Sequence, residues 1–219
     1  VNLAISSIKN RYLAIYRQMQ IMLVEEKSIK EQFEEQKNTL VRRVSQLRTA
    51  AEINRNISTI QEPHVLIRQV ADALKDRFDL YYVGVFIVDP QKEFAVLQYG
   101  TGEAGRKMVA NRHRLAVGGY SMIGWTTQTR KPRIALDTGA EAVRFDNPLL
   151  PETKSELALP LATQKNLYGA LTIQSDRSNA FDENDILVLQ SIADSLAIAL
   201  ENDYSFQVTQ KALEDIRVL

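Results

Sequence analysis

The sequence predicts an α+β domain entered by a long helix. Three observations predict it. The first sixty residues hold no proline or glycine and carry a heptad repeat of apolar residues. Two pairs of short, aromatic or β-branched segments each fold around a turn. The last forty residues return to a helical spacing.

In the first element Ile5, Ile8, Tyr12, Ile15, Met19, Met22, Ile29, Phe33, Leu40 and Leu47 recur at alternating spacings of three and four. A 3.5-residue repeat keeps one stripe facing a partner over many turns. Glu26, Gln36 and Arg43 occupy seam positions, where polar groups cost stability but fix register and partner number. Val44 follows Leu40 by four residues and shifts the stripe before Ile53, Ile57 and Ile60. About sixty residues at roughly 1.5 Å each reach about 90 Å, beyond any small domain. The seam therefore asks for a second helix, and a second copy of the chain is its simplest source. The expected interface is Ile8, Tyr12, Ile15, Met19, Met22, Ile29, Phe33, Leu40 and Leu47. Parallel and antiparallel pairing both stay open.

Glu62-Pro63 interrupts that helix and opens another, to about Phe78, with Val65, Leu66, Ile67, Val70, Ala73 and Leu74 on its apolar face. Tyr81–Val88 and Phe94–Tyr99 are strands around the turn 89–93. Residues 100–153 are irregular, with glycines at 100, 102, 105, 118, 119, 124 and 139. Within them Ser121 opens a short helix to Thr129, Arg133–Leu136 is a short strand, and 138–153 is a loop. So irregular a segment in a compact domain reads as a lid or binding loop. Glu156–Ala162 and Leu167–Gln174 form the second strand pair. Asp182, with Asp185 three residues on, caps a final helix that buries Ile186, Leu189, Ile192, Ala193, Leu196 and Leu200 and continues through Tyr204, Val208, Leu213 and Ile216. The expected divisions are 1–60, 61–203 and 204–219.

In Leu167–Gln174 the residues Leu167, Leu171 and Ile173 share one face, with Gly169 beside them, and Tyr168, Ala170, Thr172 and Gln174 the other. In Glu156–Leu161 the leucines share a face opposite Glu156, Ala158 and Pro160. The leucine faces are expected to pack on helices. The small and polar faces are expected to look into a pocket.

Composition narrows the chemistry. Lys+Arg and Asp+Glu both number 27, so no global basic field gathers nucleic acid or anionic lipid. Arg42-Arg43 and Arg112-His113-Arg114 read as solvated surface. With no cysteine there is no disulfide, thiolate nucleophile or cysteine-ligated zinc, which fits a reducing cytoplasm. No apolar run approaches the roughly 20 residues that span a bilayer. The chain reads as a segment of a longer polypeptide. His64 and His113 are too few for a zinc site of four protein ligands. His64 falls in a first helical turn. His113 lies between two arginines and is read as a loop histidine rather than a haem ligand. Ser121 and Ser155 have no histidine nearby in sequence, so no nucleophile–base pair is visible. Gly100-Thr101-Gly102-Glu103-Ala104-Gly105 matches a dinucleotide-type glycine string after a strand, but no parallel strand follows, and it reads as a mobile loop.

Three stretches carry a family resemblance: Gly118-Gly119-Tyr120-Ser121-Met122-Ile123-Gly124-Trp125 followed by Lys131-Pro132; Ser155-Glu156-Leu157-Ala158-Leu159-Pro160-Leu161 followed by Tyr168-Gly169-Ala170-Leu171; and Phe181-Asp182 before the last helix. Over about residues 48–203 the chain resembles the GAF family of sensor domains, those of bacterial histidine kinases above all. The resemblance implies an antiparallel sheet of five or six strands, with the first and last helices on one face, where they also build the dimer, and a pocket under the irregular segment on the other. Covalent bilin attachment and GAF-type methionine sulfoxide reduction both need cysteine and are excluded. The cyclic-nucleotide signature of some relatives is only partly matched by Asn179, Phe181, Asp182 and Glu183, and Phe181-Asp182 is more simply a helix start.

The candidate ligand-binding residues are Tyr120, Met122, Trp125, Arg133, Asp137, Arg144, Phe145, Asn147, Leu149, Glu156, Thr172 and Gln174, with Leu150 as a further apolar wall. Apolar walls with a few polar contacts suit a small molecule. The expectation is a cytoplasmic, non-catalytic sensory and dimerisation module of a bacterial signalling protein. It needs no cofactor or metal and has no nucleic-acid or membrane contact within this chain. The competing expectation is a scaffolding unit whose pocket is vestigial.

Overall fold

The structure is a computed structural model that describes residues 2–57, 62–136 and 147–217. Contacts divide the chain into two compact units, 1–46 and 47–219. Helix α1 covers Asn2–Ile57. In the first unit it has no described neighbour for its apolar stripe. Tyr12, Ile15, Met19, Met22, Ile29, Phe33 and Leu40 are all exposed, with Ile15 at 66% and Phe33 at 64%. The side chain of Ile8 lies outside the described residues.

In the second unit the stripe has turned. Leu47 is still exposed, but Ala50, Ile53 and Ile57 are buried in the unit's own core. The shift at Val44 thus has a local reason: past it the apolar residues must meet a different neighbour. Pro63 begins helix α2 (Pro63–Arg77), which buries Leu66, Ile67, Val70, Ala71 and Leu74. Arg77 at its end is paired with Glu52 of α1.

Six antiparallel strands form one sheet: β1 (Tyr82–Val88), β2 (Phe94–Gly100), β3 (Arg114–Ala116), β4 (Arg133–Ala135), β5 (Ser155–Ala162) and β6 (Leu167–Ser175), in the spatial order β3-β2-β1-β6-β5-β4. The β1–β2 turn is held by the Asp89 carboxylate, which accepts from the Glu93 amide at 2.8 Å. Helix α4 (Met122–Thr129) starts at Ser121, whose Oγ accepts from the Gly124 amide at 2.9 Å. Helix α5 (Glu183–Arg217) starts with a reciprocal cap. Asp182 Oδ1 accepts from the amides of Asn184 and Asp185, each at 2.8 Å, and Asp185 Oδ2 accepts from the Asp182 amide at 3.0 Å. Both caps settle amides that a helix start otherwise leaves orphaned.

Alternation along the strands sorts the core into two layers. Val83, Val85, Leu157, Leu159, Leu161, Leu171 and Ile173 pack with α2, α5 and the end of α1. Tyr82, Phe86, Ala158 and Ala170 face the other way, with Met108, Met122, Ile123 and Leu150 over them. Leu157, Leu159, Leu161, Leu171 and Ile173 therefore meet the helices, as the alternation predicts, whereas Leu167 is half-buried and joins neither layer.

Two expectations are corrected. The glycine string is not a mobile loop. Gly100 ends β2, Gly102 takes φ +72°, and Gly102–Ala110 is helix α3. A Cβ on Gly105 would stand 1.9 Å from the Gly100 carbonyl oxygen, so the glycines let helix backbone rest on strand backbone. The strand after α3 is the antiparallel edge strand β3, which rules out a parallel dinucleotide unit. The second correction is Tyr168. The register slips between Leu161 and Ala162, and Tyr168 packs against the helix-side core rather than on the pocket face. An extra residue in one strand re-aims its side chains in this way.

Candidate functional site

The sheet register builds the candidate site on the face away from α2 and α5. One row across the sheet reads Tyr82, Gln174, Glu156 and Ala135 on β1, β6, β5 and β4. The next reads Gly100, Gly84, Thr172, Ala158 and Arg133. The second row is mostly small, which lowers the floor of this face. Tyr82 lies across part of it: a Cβ on Gly84 or Gly100 would meet the Tyr82 hydroxyl at 2.7 or 2.3 Å.

The polar groups form a chain. Thr153 Oγ1 donates to Gln174 Oε1 at 2.6 Å, Gln174 Nε2 donates to Thr172 Oγ1 at 3.3 Å, and Thr172 Oγ1 donates to Glu156 Oε1 at 2.7 Å. Thr172 and Gln174 are buried. Burial raises the pKa of Glu156 above the usual carboxylate value, against the Thr172 hydrogen bond, the Arg133 charge and a Gln174 hydrogen bond, which pull it down. Arg133 also lies 5.6 Å from the ring centre of half-buried Trp125, a cation–π contact.

Two hydroxyls on this side of the sheet stand apart. Tyr82 is 2% exposed, Thr126 of α4 is fully buried, and neither hydroxyl has a hydrogen-bond partner among the described residues. A buried hydroxyl without a partner costs about 1–3 kcal/mol. Burial, and then the Glu156 charge, push the Tyr82 phenol well above its ordinary pKa, so it stays protonated and able to donate.

The sequence-derived residues divide as follows. Met122 is buried under α4, and Leu150 is buried beneath the loop that precedes β5. Leu149 is half-buried against the same layer. Asn147 holds that loop: its Nδ2 donates to Met108 Sδ at 3.0 Å, and its Oδ1 accepts from the Leu149 amide at 3.0 Å. Trp125, Arg133, Glu156, Thr172 and Gln174 lie as described above. Tyr120 does not join them; it is 90% exposed and walls nothing. Asp137, Arg144 and Phe145 fall outside the described residues.

Tyr82, Thr126 and Thr153 were missed. The available signal was two glycines, Gly84 and Gly100, on strands flanking an aromatic residue. It becomes readable only once the register sets them side by side. His113 is half-buried with its ring edge-on to Phe86 at 6.0 Å between centres, and burial lowers its pKa. Among the described residues no group of three His, Cys, Asp or Glu could hold a metal. No described helix is long and apolar enough to cross a membrane.

The GAF domain model matches residues 61–201. The chain belongs to the GAF domain family. GAF domain-containing protein A of Dictyostelium discoideum is 29% identical to it over 128 residues, which is 58% of this chain and 73% of that protein. The GAF domain of a phosphoenolpyruvate-protein phosphotransferase from Coxiella burnetii superposes with a TM-score of 0.67 at 20% identity, covering 76% of this chain and 98% of that one. The free methionine-R-sulfoxide reductase of Neisseria meningitidis, solved with its substrate, superposes with a TM-score of 0.65 at 20% identity, covering 75% and 93%. At these identities the likeness is one of fold. The GAF fold thus carries both regulatory domains and enzymes, and this GAF chain has no cysteine.

Proposed function

We propose that this GAF chain is the sensory and dimerising module of a bacterial cytoplasmic signal-transduction protein of the histidine-kinase type, without catalysis of its own. The divisions are a pairing helix over 1–60, a sensor over 61–203 and an outgoing helix over 204–219. A small molecule binds on the sheet face of Glu156, Thr172 and Gln174, with Arg133, Trp125, Met122, Asn147 and Leu149 around it and Asp137, Arg144 and Phe145 contributed by the neighbouring segment.

One observation carries this reading. The Tyr82 hydroxyl is buried without a partner among the described residues, in the layer that also holds the hydrogen-bonded chain of Thr153, Gln174, Thr172 and Glu156. Such a donor suits a ligand that brings an acceptor. The exposed seam of α1 supports pairing with a second copy, since a helix this apolar on one stripe needs a neighbour. A ligand that binds two arrangements of the pair unequally would shift their balance.

Native mass spectrometry of the chain purified from its own host tests the binding reading. A retained small molecule, lost in Tyr82→Phe and Thr172→Val variants, is the expected result. A clean mass that the host's metabolite pool does not change favours the scaffolding alternative, in which the same face is a filled core.

A further inference from the structure

On the sheet face away from α2 and α5, the polar groups of four residues are committed to one another. The Thr153 hydroxyl donates to Gln174, the Gln174 amide to Thr172, and the Thr172 hydroxyl to Glu156. Gln174 also hydrogen-bonds Glu156. Two hydroxyls are left over. Those of Tyr82 and Thr126 are buried and have no partner among the described residues. The Tyr82 hydroxyl lies over Gly84 and Gly100, in the space that a Cβ on either would need. Burial keeps this phenol protonated, so it has a hydrogen to give and lacks an acceptor.

The charges on this face balance. Of the side chains that the strands turn to it, only Glu156 and Arg133 are charged, and they attract each other. Helix α4, which covers the face, carries no charged residue. The free amide at its start is not open to an anion at Gly124, because Ser121 already caps it. His113, edge-on to Phe86, is kept neutral by burial. The remaining walls are apolar: Phe86, Met122, Ile123 and Leu150. An anion here would find one arginine already matched by a carboxylate. A cation would find a carboxylate already matched by Arg133 and by two hydrogen bonds. Burying either without a partner of its own is costly, whereas a neutral acceptor is not penalised in this way.

We propose that this face takes a small, uncharged, mostly apolar molecule bearing a carbonyl oxygen, and that the Tyr82 hydroxyl selects it by donating to that oxygen. The proposal rests on the binding reading above and adds the chemical class of the ligand to it. Nucleotides, phosphates and amines fall outside that class.

The test uses three probes of one shape and three charges: acetophenone, benzoate and benzamidinium. The full chain carries tyrosine labelled with carbon-13 at Cζ, and the Tyr82 resonance is the one lost in Tyr82→Phe. Acetophenone should move that resonance and saturate at millimolar concentration at pH 7. Benzoate and benzamidinium should bind at least about tenfold more weakly. Tyr82→Phe should weaken acetophenone about three- to tenfold by saturation-transfer resonance, the value of one hydrogen bond. The charge series needs no variant, so it stands even if Tyr82→Phe folds poorly. Benzoate or benzamidinium binding as tightly as acetophenone overturns the neutral class and leaves the binding reading intact. Acetophenone that saturates without moving the Tyr82 resonance overturns selection by that hydroxyl, again with binding intact. No binding by any probe at about ten millimolar overturns both readings.

Discussion

Glu156 carries the clearest electrostatic signature. Its carboxyl is shifted up chiefly by burial, so the folded state holds a proton more tightly than the unfolded chain. Its contribution to stability is fully present below the unfolded value and is lost as pH rises through the raised folded value. Glu52 and Glu103 shift the other way, drawn down by Arg77 and Lys107. The difference between wild type and Glu156→Gln isolates the one residue. Melting temperature measured from pH 4 to 8 should show the wild type losing ground to Glu156→Gln as pH rises. Parallel curves would mean the carboxyl is better solvated than its position indicates. Tyr82 gives a second prediction. Removing an unpartnered hydroxyl relieves its desolvation, so Tyr82→Phe should match or exceed wild-type stability by up to about 1 kcal/mol without ligand, read by urea denaturation. A loss beyond about 1 kcal/mol would reveal a partner for that hydroxyl. Glu156, Thr172 and Gln174 were legible in the sequence because strand alternation alone puts them on one face. Tyr82 was not, because its role depends on Gly84 and Gly100 from two strands.

At the scale of the element, glycine at 105 inverts the usual rule. Alanine in a helix interior is ordinarily favoured over glycine. Here a methyl group would overlap the Gly100 carbonyl, so Gly105→Ala should destabilise by about 1–3 kcal/mol. Chemical denaturation checks this, and a stabilised variant would mean that α3 does not lie on β2. Asp182→Ala removes a cap that settles two amides and should cost about 1 kcal/mol, measured the same way. This cap and the one at Ser121 were readable because capping is local: the acceptor lies within three residues of its donors. Helix α3 and strand β3 were not. Nine residues broken by glycines carry little helical spacing, and a three-residue edge strand carries almost no alternation. The slip that re-aims Tyr168 was hidden for a related reason, since a bulge is set by the partner strand.

For the whole molecule, the two-layered domain was legible from the leucine alternation of β5 and β6, which the core layers repeat. The order of the six strands depends on long-range pairing and was not legible, since the family resemblance implied only an antiparallel sheet of five or six strands. The long helix was legible through its repeat and its lack of proline and glycine. Its stripe asks for a second helix, so Ile15→Lys/Met22→Lys should turn the dimer into monomers by sedimentation, and an unchanged dimer would place the pairing elsewhere. The central claim is that a ligand on the Glu156–Thr172 face changes how two α1 helices pair. The chain has no native cysteine, so Asn38→Cys supplies a unique spin-label position on α1 away from the seam. The most direct measurement is the distance between labels on the paired helices by pulsed electron resonance, with and without the low-molecular-mass extract of the host, in a sample where native mass spectrometry shows the ligand retained. A shift in the distance distribution that disappears in Thr172→Val is the predicted result. An unchanged distribution with the ligand bound would contradict the claim.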